Sequence, residues 1–187
     1  MLTPNFTPFP VLETPRLLLR RMTNDDAPAH FLTRTDPEGM KYLDREMAKD
    51  VSEIHDMVKL IDNNLANNLA INWAMEIKET GEFIGSMGYY RNDFNNHRGE
   101  IGYQIARRFW RKGYSSEAMQ AILSYGFEVI GFHSVMADIN PANDASRALL
   151  EKFGFRQEAY FRQNHYFKGK FGDSAIYCLL QSEFKKK

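Results

Sequence analysis

The sequence predicts one α/β domain. Segments with the two-residue period of a strand alternate with segments whose apolar residues recur at helical spacing, and this order continues along the 187 residues. Hydrophobic residues make up 43% of the chain, which suffices for a full core. The sequence has no internal repeat, low-complexity block or linker rich in glycine, serine or proline. We therefore expect residues 1–187 to form a single domain, with 1–11 as an irregular N-terminal segment and 181–187 as a C-terminal tail.

The composition argues against several classes of partner. Lys plus Arg number 24, as do Asp plus Glu, so no global field would gather nucleic acid or an anionic membrane. No run approaches the roughly 20 apolar residues that span a bilayer, and residues 1–10 do not resemble a signal peptide. Cys178 is the only cysteine, so no intrachain disulfide can form, and the five histidines lack metal-ligand spacing. We expect a cytoplasmic protein with no metal, no nucleic-acid partner and no membrane partner.

The first third of the chain predicts an extended segment and two helices. Residues 12–21 are extended around an apolar centre, and Thr23 with Asp26 resembles a capping box that opens a short helix through Leu32. Asp50 precedes a second helix, because the apolar residues that follow fall at helical spacing on one face. These residues are Val51, Ile54, Val58, Ile61 and Leu65.

The middle of the chain predicts a hairpin followed by a third strand. Residues 71–77 alternate between apolar and less apolar positions, which is typical of a half-buried strand. Residues 79–81 supply a turn, and residues 83–90 return as the second strand. The polar loop 91–98 then leads into a strand at 100–105.

The last third predicts two helices and three strands. Ser115 or Ser116 caps a helix that runs to about Ile130, and Asn143 caps a helix that Gly154 ends. The strands are expected at residues 134–139, 155–161 and 174–180, the last two joined by the aromatic and basic residues 164–172.

The segment from Glu100 to Ala118 is the most informative part of the chain. It contains a strand, a basic turn and the first turn of a helix, whose unpaired amides carry a partial positive charge. Gly113 allows a ligand to approach the backbone closely. The cationic side chains of the turn are Arg107, Arg108, Arg111 and Lys112. These features indicate a phosphate-binding turn, and the alternative is a solvated loop with an ordinary helix cap. The glycine spacing of a Walker loop or a dinucleotide-binding motif is lacking.

The run Trp110–Ala118 resembles the acetyl-CoA pyrophosphate loop of the GNAT superfamily of acetyltransferases. It is most similar to the RimJ/RimL-type branch of ribosomal-protein N-terminal acetyltransferases. Other segments resemble that branch in the same order along the chain: Glu13–Arg20, Ile84–Gly88, Asn140–Phe155 and Gly169–Asp173. The resemblance implies the GNAT fold, with a central mixed, mostly antiparallel twisted sheet of about seven strands flanked by about four helices.

The loop departs from the superfamily's usual pattern. Trp110 and Ser115 stand at its first and last positions, and Arg111 stands where the branch usually has a second glycine. A non-glycine residue fits if Arg111 keeps a negative φ, because its amide can still point at phosphate. The residues expected to bind the pyrophosphate of acetyl-CoA are Arg111, Lys112, Gly113, Tyr114, Ser115 and Ser116.

The resemblance also implies direct transfer of the acetyl group, without a covalent enzyme intermediate. Glu100 is the candidate general base, because it begins the strand beside the expected thioester position. Ser146 is the candidate hydrogen-bond donor to the departing thiolate, and Asn143 is expected both to cap its helix and to contact pantetheine. The alternatives are an exposed glutamate at a strand end and an ordinary first-turn serine.

The placement of the same strand in the family suggests two further contacts with acetyl-CoA. The backbone amide of Ile105 would polarise the thioester carbonyl, and Gln104 would flank the pantetheine arm. Acceptor specificity is expected to reside in residues 40–68 and 164–172. The side chains that could line the acceptor pocket, or could simply pack in the core or be exposed, are Tyr103, Tyr160, His165 and Tyr166.

The leading functional hypothesis is acetylation of the α-amine of a protein or peptide N-terminus. An α-amine has a pKa of about 7.7–8.0, so its neutral, attacking form is more accessible than that of a lysine amine at about 10.4. The alternatives are acetylation of a small amine, such as an antibiotic, a polyamine or an amino acid derivative, and a regulatory module that binds CoA without catalysis. The acidic residues that could form a groove for a polyamine, or a solvated helix face, are Asp44, Glu46, Asp50, Glu53 and Asp56. We expect a monomer or a homodimer.

Overall fold

The computed structural model describes residues 1–185, which contain eight strands and five α-helices. The strands are β1 (Leu12–Glu13), β2 (Leu17–Arg21), β3 (Ile71–Ile77), β4 (Glu82–Tyr89), β5 (Arg98–Ile105), β6 (Ser134–Ile139), β7 (Arg156–Phe167) and β8 (Lys170–Leu180). The helices are α1 (Ala27–Thr35), α2 (Pro37–Met40), α3 (Val51–Ala66), α4 (Tyr114–Tyr125) and α5 (Asp144–Lys152). The strands form one sheet in the order β1-β2-β3-β4-β5-β6-β8-β7.

The sheet is antiparallel throughout except between β5 and β6, which run parallel. Their pairing is short: residues 98–100 face residues 134–136, although β5 continues to Ile105. Beyond Glu100, β5 and β6 no longer pair with each other, although each still pairs with its other neighbour. A gap therefore opens in the middle of the sheet. The expected fold, a mixed and mostly antiparallel sheet with helices, is confirmed.

The strand count exceeds the expected number because residues 12–21 do not form one extended segment. The chain turns at Thr14, whose hydroxyl oxygen accepts a hydrogen bond from the Leu17 amide at 2.9 Å. This turn lets β1 pair antiparallel with β2. The additional short strand places Thr14 and Arg16 at one end of the sheet.

The first helices also differ from the expectation. The capping box of Thr23 and Asp26 is present, but it opens a 3₁₀ turn, and α1 follows and ends at Thr35 rather than Leu32. α2 was not expected. The Asp36 side chain caps it by accepting a bond from the Glu38 amide at 3.1 Å, and proline occupies its first position.

Helices cover both faces of β3. On one face α4 and α5 pack over the main core, which includes Trp73 and Tyr89. On the other face α1 and α3 pack on a smaller cluster of Met22, Val58, Ala74 and Phe83. The prediction that residues 71–77 form a half-buried strand is therefore wrong, because Asn72 and Ala74 on the second face are 5% and 0% exposed.

α4 begins directly after Gly113, whose φ of 83° lies in the left-handed region. The prediction that Ser115 or Ser116 caps this helix is wrong, because both residues lie inside its first turn. Glycine adopts the left-handed conformation without a steric penalty, so Gly113 reverses the chain into the helix. After Tyr125 a π-helical turn over residues 126–130 carries the chain to the expected end.

α5 begins as expected, and the last hairpin is longer than expected. The side-chain oxygen of Asn143 accepts a hydrogen bond from the Ser146 amide at 3.1 Å, which confirms the cap. Residues 164–172, expected only to join two strands, instead extend both β7 and β8. Tyr166 and Phe171 pair across this extension, with ring centroids 4.9 Å apart.

Residues 1–11 contain no helix or strand, yet they pack on the domain. Phe6 is 1% exposed, and its amide donates to the Asn68 side chain at 2.8 Å. The indole of Trp73 donates to the Pro10 carbonyl at 2.7 Å. The segment is therefore held by the main core and by the end of α3.

The residues after β8 also contact the domain. Residues 181–183 form a 3₁₀ turn, and Phe184 packs on Phe127 with ring centroids 5.2 Å apart. Lys186 and Lys187 of the expected tail lie outside the described residues. Within residues 1–185, no helix combines the length and the apolar character that crossing a membrane requires.

Candidate active site

The gap between β5 and β6 exposes backbone groups of β5. The amide of Ala106 donates to the Ile84 carbonyl of β4 at 2.9 Å. Because hydrogen-bonding direction alternates along a strand, the Ile105 amide points away from β4, toward the gap. The Ile105 carbonyl accepts a bond from the Trp110 indole at 2.8 Å, which holds the basic loop against the end of β5. The Ile105 amide thus lies on the side where the resemblance places the thioester carbonyl.

The first turn of α4 lies at the end of the loop that follows β5. The first intrahelical bond joins the Glu117 amide to the Gly113 carbonyl at 3.1 Å. The amides of Tyr114, Ser115 and Ser116 precede this bond and have no partner within the helix, as in the first turn of any α-helix. Such a turn attracts anions through its amides and its dipole.

Arg111 adopts a left-handed conformation, with a φ of 59°. The condition stated for a non-glycine residue at this position, a negative φ, is therefore not met. The chain has to reverse twice before α4, at Arg111 and again at Gly113. The loop therefore has the backbone shape that a glycine at position 111 would give it. An arginine with this φ is strained by about 1–2 kcal/mol. Arg111 and Lys112 are both exposed at this turn.

The turn between β1 and β2 anchors the start of α4. Glu117 accepts hydrogen bonds from the Thr14 hydroxyl at 2.6 Å and from the Arg16 amide and Nε, both at 2.7 Å. Burial acts to raise the pKa of Glu117, but these bonds outweigh it and lower that pKa. Arg16 also donates to the Lys112 carbonyl at 3.0 Å and stacks over the Tyr114 ring. Sequence reasoning missed this anchor because the partners are far apart in the chain.

Ser146 and Tyr103 form a buried hydroxyl pair on the α5 side of the sheet. Ser146 is 7% exposed, and its Oγ lies 2.6 Å from the Tyr103 hydroxyl oxygen. Burial raises the pKa of Tyr103 to about 12, although the hydrogen bond with Ser146 opposes the rise. The phenol therefore stays protonated at neutral pH. The structure pairs Tyr103 with the candidate donor Ser146.

Glu100 and Gln104 point to the opposite face of β5 from Tyr103, because side chains alternate along a strand. The Glu100 side chain is 15% exposed, and its Oε1 accepts a bond from the Arg91 Nε at 2.9 Å and another from the Arg91 Nη2. It is therefore not a freely exposed glutamate. The Gln104 amide donates to the Thr33 carbonyl at 3.3 Å, so the structure does not bring this side chain to Ser146.

A cavity of about 530 Å³ opens on the Glu100 face of the sheet. Its lining residues are Arg91, Asp93, Arg98, Met136, Glu158, Ala159, Phe161 and Ile176. Met136 is the register partner of Glu100 in β6, so the cavity begins directly beside the candidate base. Sequence reasoning did not assign these residues to the site, because four different strands supply most of them.

The two segments expected to determine acceptor specificity meet at the surface. His165 lies 2.9 Å from Asp44, and Lys168 lies 2.9 Å from Glu46. Tyr160 donates to Asp173 at 2.5 Å. Tyr166 and its cross-strand partner Phe171 are each 64% exposed. Tyr166 is not among the residues that line the cavity.

Four of the five acidic residues considered for a polyamine groove have partners within the protein. Two of them, Asp44 and Glu46, pair with the last hairpin. Asp50 caps α3 by accepting a bond from the Ser52 amide at 2.7 Å, and Asp56 pairs with a lysine one helical turn away. Each of these carboxylates therefore already has a hydrogen-bond or ion-pair partner.

Cys178 is buried and lies apart from the pair of Ser146 and Tyr103 and from Glu100. Burial raises the pKa of the Cys178 thiol to about 11, so it is not a thiolate at neutral pH. Among residues 1–185, no three or more His, Cys, Asp or Glu side chains are grouped so that they could hold a metal ion.

Comparison with solved structures defines the class of protein. An acetyltransferase of the GNAT family from Bacillus anthracis superposes with a TM-score of 0.82, over 92% of this chain and 99% of that chain, at 26% identity. The gapped sheet described above is therefore the fold of an acetyl-transferring enzyme.

Sequence comparison then defines the family. The model of the acetyltransferase (GNAT) domain matches residues 16–156. The chain belongs to the GNAT family of N-acetyltransferases, whose members use acetyl-CoA as the acetyl donor. The resemblance that the loop and the ordered motifs indicated is confirmed.

Relatives in this family match either nearly all of this chain or only part of it. The uncharacterised N-acetyltransferase YoaA of Bacillus subtilis (strain 168) is 34% identical over 92% of this chain and 98% of its own length. A shorter match, 30% identical over 88 residues, is the [ribosomal protein uS5]-alanine N-acetyltransferase of Escherichia coli (strain K12). That match covers 47% of this chain and 45% of the E. coli protein.

Proposed function

We propose that this enzyme transfers an acetyl group from acetyl-CoA directly to an α-amine, and that the acceptor of first choice is the N-terminus of a protein or peptide. The observation that carries the proposal is the gap between β5 and β6. The anion-attracting start of α4 follows the far end of β5. Glu100 lies on the other face of the sheet, next to the cavity-lining residues Arg91 and Met136. Acetyl-CoA and the acceptor would thus approach the gap from opposite faces.

In the proposed step, the amine nitrogen attacks the thioester carbonyl carbon. A carbon–nitrogen bond forms, the carbon–sulfur bond breaks, and the CoA thiolate leaves. Glu100 accepts the proton that the amine loses. Both hydrogen bonds from Arg91 go to Oε1 of Glu100, so Oε2 is the oxygen assigned to the acceptor amine. The Ile105 amide stabilises the negative charge that develops on the carbonyl oxygen.

The hydroxyl pair of Ser146 and Tyr103 stabilises the leaving thiolate. The proposed step uses the arrangement in which Tyr103 is the donor of this bond, because the Ser146 hydrogen is then free to point at sulfur. Two linked hydroxyls polarise one another, so the outer hydroxyl is a stronger donor than a lone serine. Asn143, which fixes the Ser146 amide, keeps the pair in register with pantetheine. The loop residues 111–116 bind the pyrophosphate.

An α-amine suits a site of this kind. Deprotonating an α-amine to its neutral form costs about 1 kcal/mol at neutral pH, whereas deprotonating a lysine amine costs about 4–5 kcal/mol. A single carboxylate such as Glu100 suffices for the smaller cost. The E. coli relative, whose name describes an alanine N-acetyltransferase of a ribosomal protein, supports a protein N-terminus as the acceptor. The lone Cys178, which is unpaired and buried, fits a cytoplasmic location.

Glu100→Gln tests the proposed base. We expect kcat to fall by about 10²-fold or more, with the KM for acetyl-CoA nearly unchanged, because the substitution keeps the shape of the side chain and removes its basicity. Glu79→Gln, at an exposed position of the turn between β3 and β4, is the matched control and should behave as the parent. An acceptor screen of N-terminal peptides beside small amines, read by mass shift, supplies the assay. Unchanged turnover of Glu100→Gln between about pH 6 and 9 would remove Glu100 as the base.

A further inference from the structure

Arg98 is the charged group of the cavity that has no carboxylate partner. It lies two residues before Glu100 in β5, and both side chains point to the same face of the sheet. Its one side-chain hydrogen bond within residues 1–185 runs from Nη2 to the Cys178 sulfur, at 3.3 Å. A thiol sulfur is a weak acceptor. The Arg98 Nε is buried without any partner, and no carboxylate of the described residues lies within ion-pair distance of this guanidinium.

The other charges of the cavity are engaged elsewhere. Arg91 is paired with Glu100. The Asp93 oxygens accept bonds from the Asn96 amide at 3.0 Å and from its side chain at 2.7 Å. Glu158 is hydrogen-bonded with the Cys178 thiol. Asp93 also attracts Arg98 through space, but neither carboxylate pairs with it directly.

The cavity therefore offers two complementary charges to a ligand. One is the free oxygen of Glu100, which the proposed function assigns to the acceptor amine. The other is the guanidinium of Arg98, a cationic donor that is not paired with any carboxylate of the described residues. Residues two apart in a strand are separated by about 7 Å, so an amine and an anionic group only a few bonds apart can reach both. Met136 and Ile176 give the space between them an apolar wall.

We propose that Arg98 binds an anionic group of the acceptor, and that the acceptor is a primary amine with a carboxylate a few bonds from the amine. This proposal rests on the proposed function, whose amine position it uses. Two sources share this chemistry: a free amino acid, and a peptide whose first residue is Asp or Glu. Guanidinium and carboxylate form the strongest charge-assisted hydrogen bonds available to side chains.

Matched acceptors and variants test the proposal by kinetics. The acceptors are L-amino acids and their carboxamides, compared at equal concentrations of the neutral amine, and amidated peptides that begin with Asp, Glu, Asn or Gln. We expect the parent enzyme to prefer the acid to the amide of each pair by about tenfold or more in kcat/KM. Arg98→Gln should remove this preference by losing activity toward the acid alone, with the KM for acetyl-CoA unchanged. Arg98→Lys should retain part of it.

Arg156→Gln is the matched control. Arg156 lies on β7 outside the cavity and pairs with Glu183 on the surface, so its replacement should leave the preference intact. The free amino acids and the acidic peptides are assayed separately. The set that shows the preference therefore identifies which of the two supplies the carboxylate. Equal activity of the parent toward acids and amides would overturn the proposal, as would a preference that survives in Arg98→Gln with parental folding by circular dichroism.

Calorimetric titration of the CoA-loaded protein separates this proposal from the proposed function. We expect the free acids to bind and the carboxamides to bind at least about tenfold more weakly, with the difference absent in Arg98→Gln. If the acids bind in this manner but no acetyl group is transferred to any amine, the Arg98 site stands and the transfer proposal fails. If acetyl transfer proceeds while acids and amides bind equally, the Arg98 proposal fails alone.

Discussion

Arg111 illustrates how one residue can keep the shape of a loop while changing its chemistry. Its φ of 59° is a conformation that glycine adopts freely and that a side chain opposes. Arginine at this position places a cation beside the first turn of α4, where an anion is expected. The strained position is thus one where an added positive charge would favour the proposed binding of pyrophosphate.

Arg111→Gly should therefore stabilise the fold and weaken the binding of CoA. Removing the side chain relieves about 1–2 kcal/mol of strain, and the greater freedom of glycine in the unfolded chain offsets about 0.5–1 kcal/mol of the gain. We expect the free energy of unfolding in urea to rise by about 0.5–1 kcal/mol. The control is Arg107→Gly, in a 3₁₀ turn with ordinary φ, which should lower it. A fall in stability for Arg111→Gly would contradict the strain argument.

Single residues with a local signal were predictable from the sequence. Asn143 caps α5 because its side chain bonds to an amide three residues away, and such short-range patterns are visible in the sequence. The pairing of Ser146 with Tyr103, and the placement of Arg98 beside a cavity, were not predictable. These contacts join residues 43 or 80 positions apart, and only the folded sheet brings them together.

At the scale of elements, the loop and the start of α4 form one unit with the β1–β2 turn. Glu117 accepts three hydrogen bonds from that turn, and Arg16 bonds in return to the loop carbonyl of Lys112. The first turn of α4 is therefore held in place from outside the helix. A rigid first turn keeps its amides oriented toward an anion without any rearrangement when CoA binds.

Gly113→Val tests this unit, with Gly169→Val as a control of the same backbone type. The two glycines have φ values of 83° and 79°, so valine is equally strained at either position. A side chain at 113 also meets the Arg16 guanidinium at 3.3 Å, whereas one at 169 meets nothing within 4 Å. We expect both variants to lose stability, but only Gly113→Val to bind CoA about tenfold or more weakly by calorimetry. Equal CoA affinity of the two variants would count against the proposed cradle.

The elements that sequence reasoning described incorrectly share a physical cause. β3 looked half-buried because its alternation is visible in the sequence, whereas the second layer of helices that buries its other face is not. The start of α4 was assigned to a serine cap because serine usually fills that role, but the backbone there needs positive φ. The extension of β7 and β8 through residues 164–172 depends on cross-strand pairs that form only in the hairpin.

At the scale of the whole molecule, the sheet separates two chemical environments. The α4–α5 side carries the hydroxyl pair of Tyr103 and Ser146, and the other side carries the cavity with Glu100 and Arg98. The short parallel pairing of β5 and β6 connects the two sides through the gap. Two substrates can therefore meet without either having to pass the other.

The second layer of helices, α1 and α3, gives the molecule a pH dependence that is independent of the site. His30 of α1 is 3% exposed and packs edge-on against Phe83 with ring centroids 5.5 Å apart. Burial, with a smaller contribution from nearby Arg34, lowers its pKa to about 4, although Asp26 opposes the shift. His30 is thus neutral in the folded protein at any pH above this value.

The whole domain should lose stability as pH falls from about 6.5 to about 4. In this window the unfolded chain binds a proton at His30 and the folded chain does not, so protonation favours unfolding. The full shift corresponds to about 3 kcal/mol.

Urea unfolding at several pH values measures the slope of stability against pH. His30→Gln should flatten this slope. Asp26, whose pKa is lowered by Arg20 and Thr23 against the opposing effect of burial, loses its contribution from about pH 5 downward. The slope between about pH 6.5 and 5 therefore reports His30. A slope that survives in His30→Gln would assign the acid sensitivity to another group.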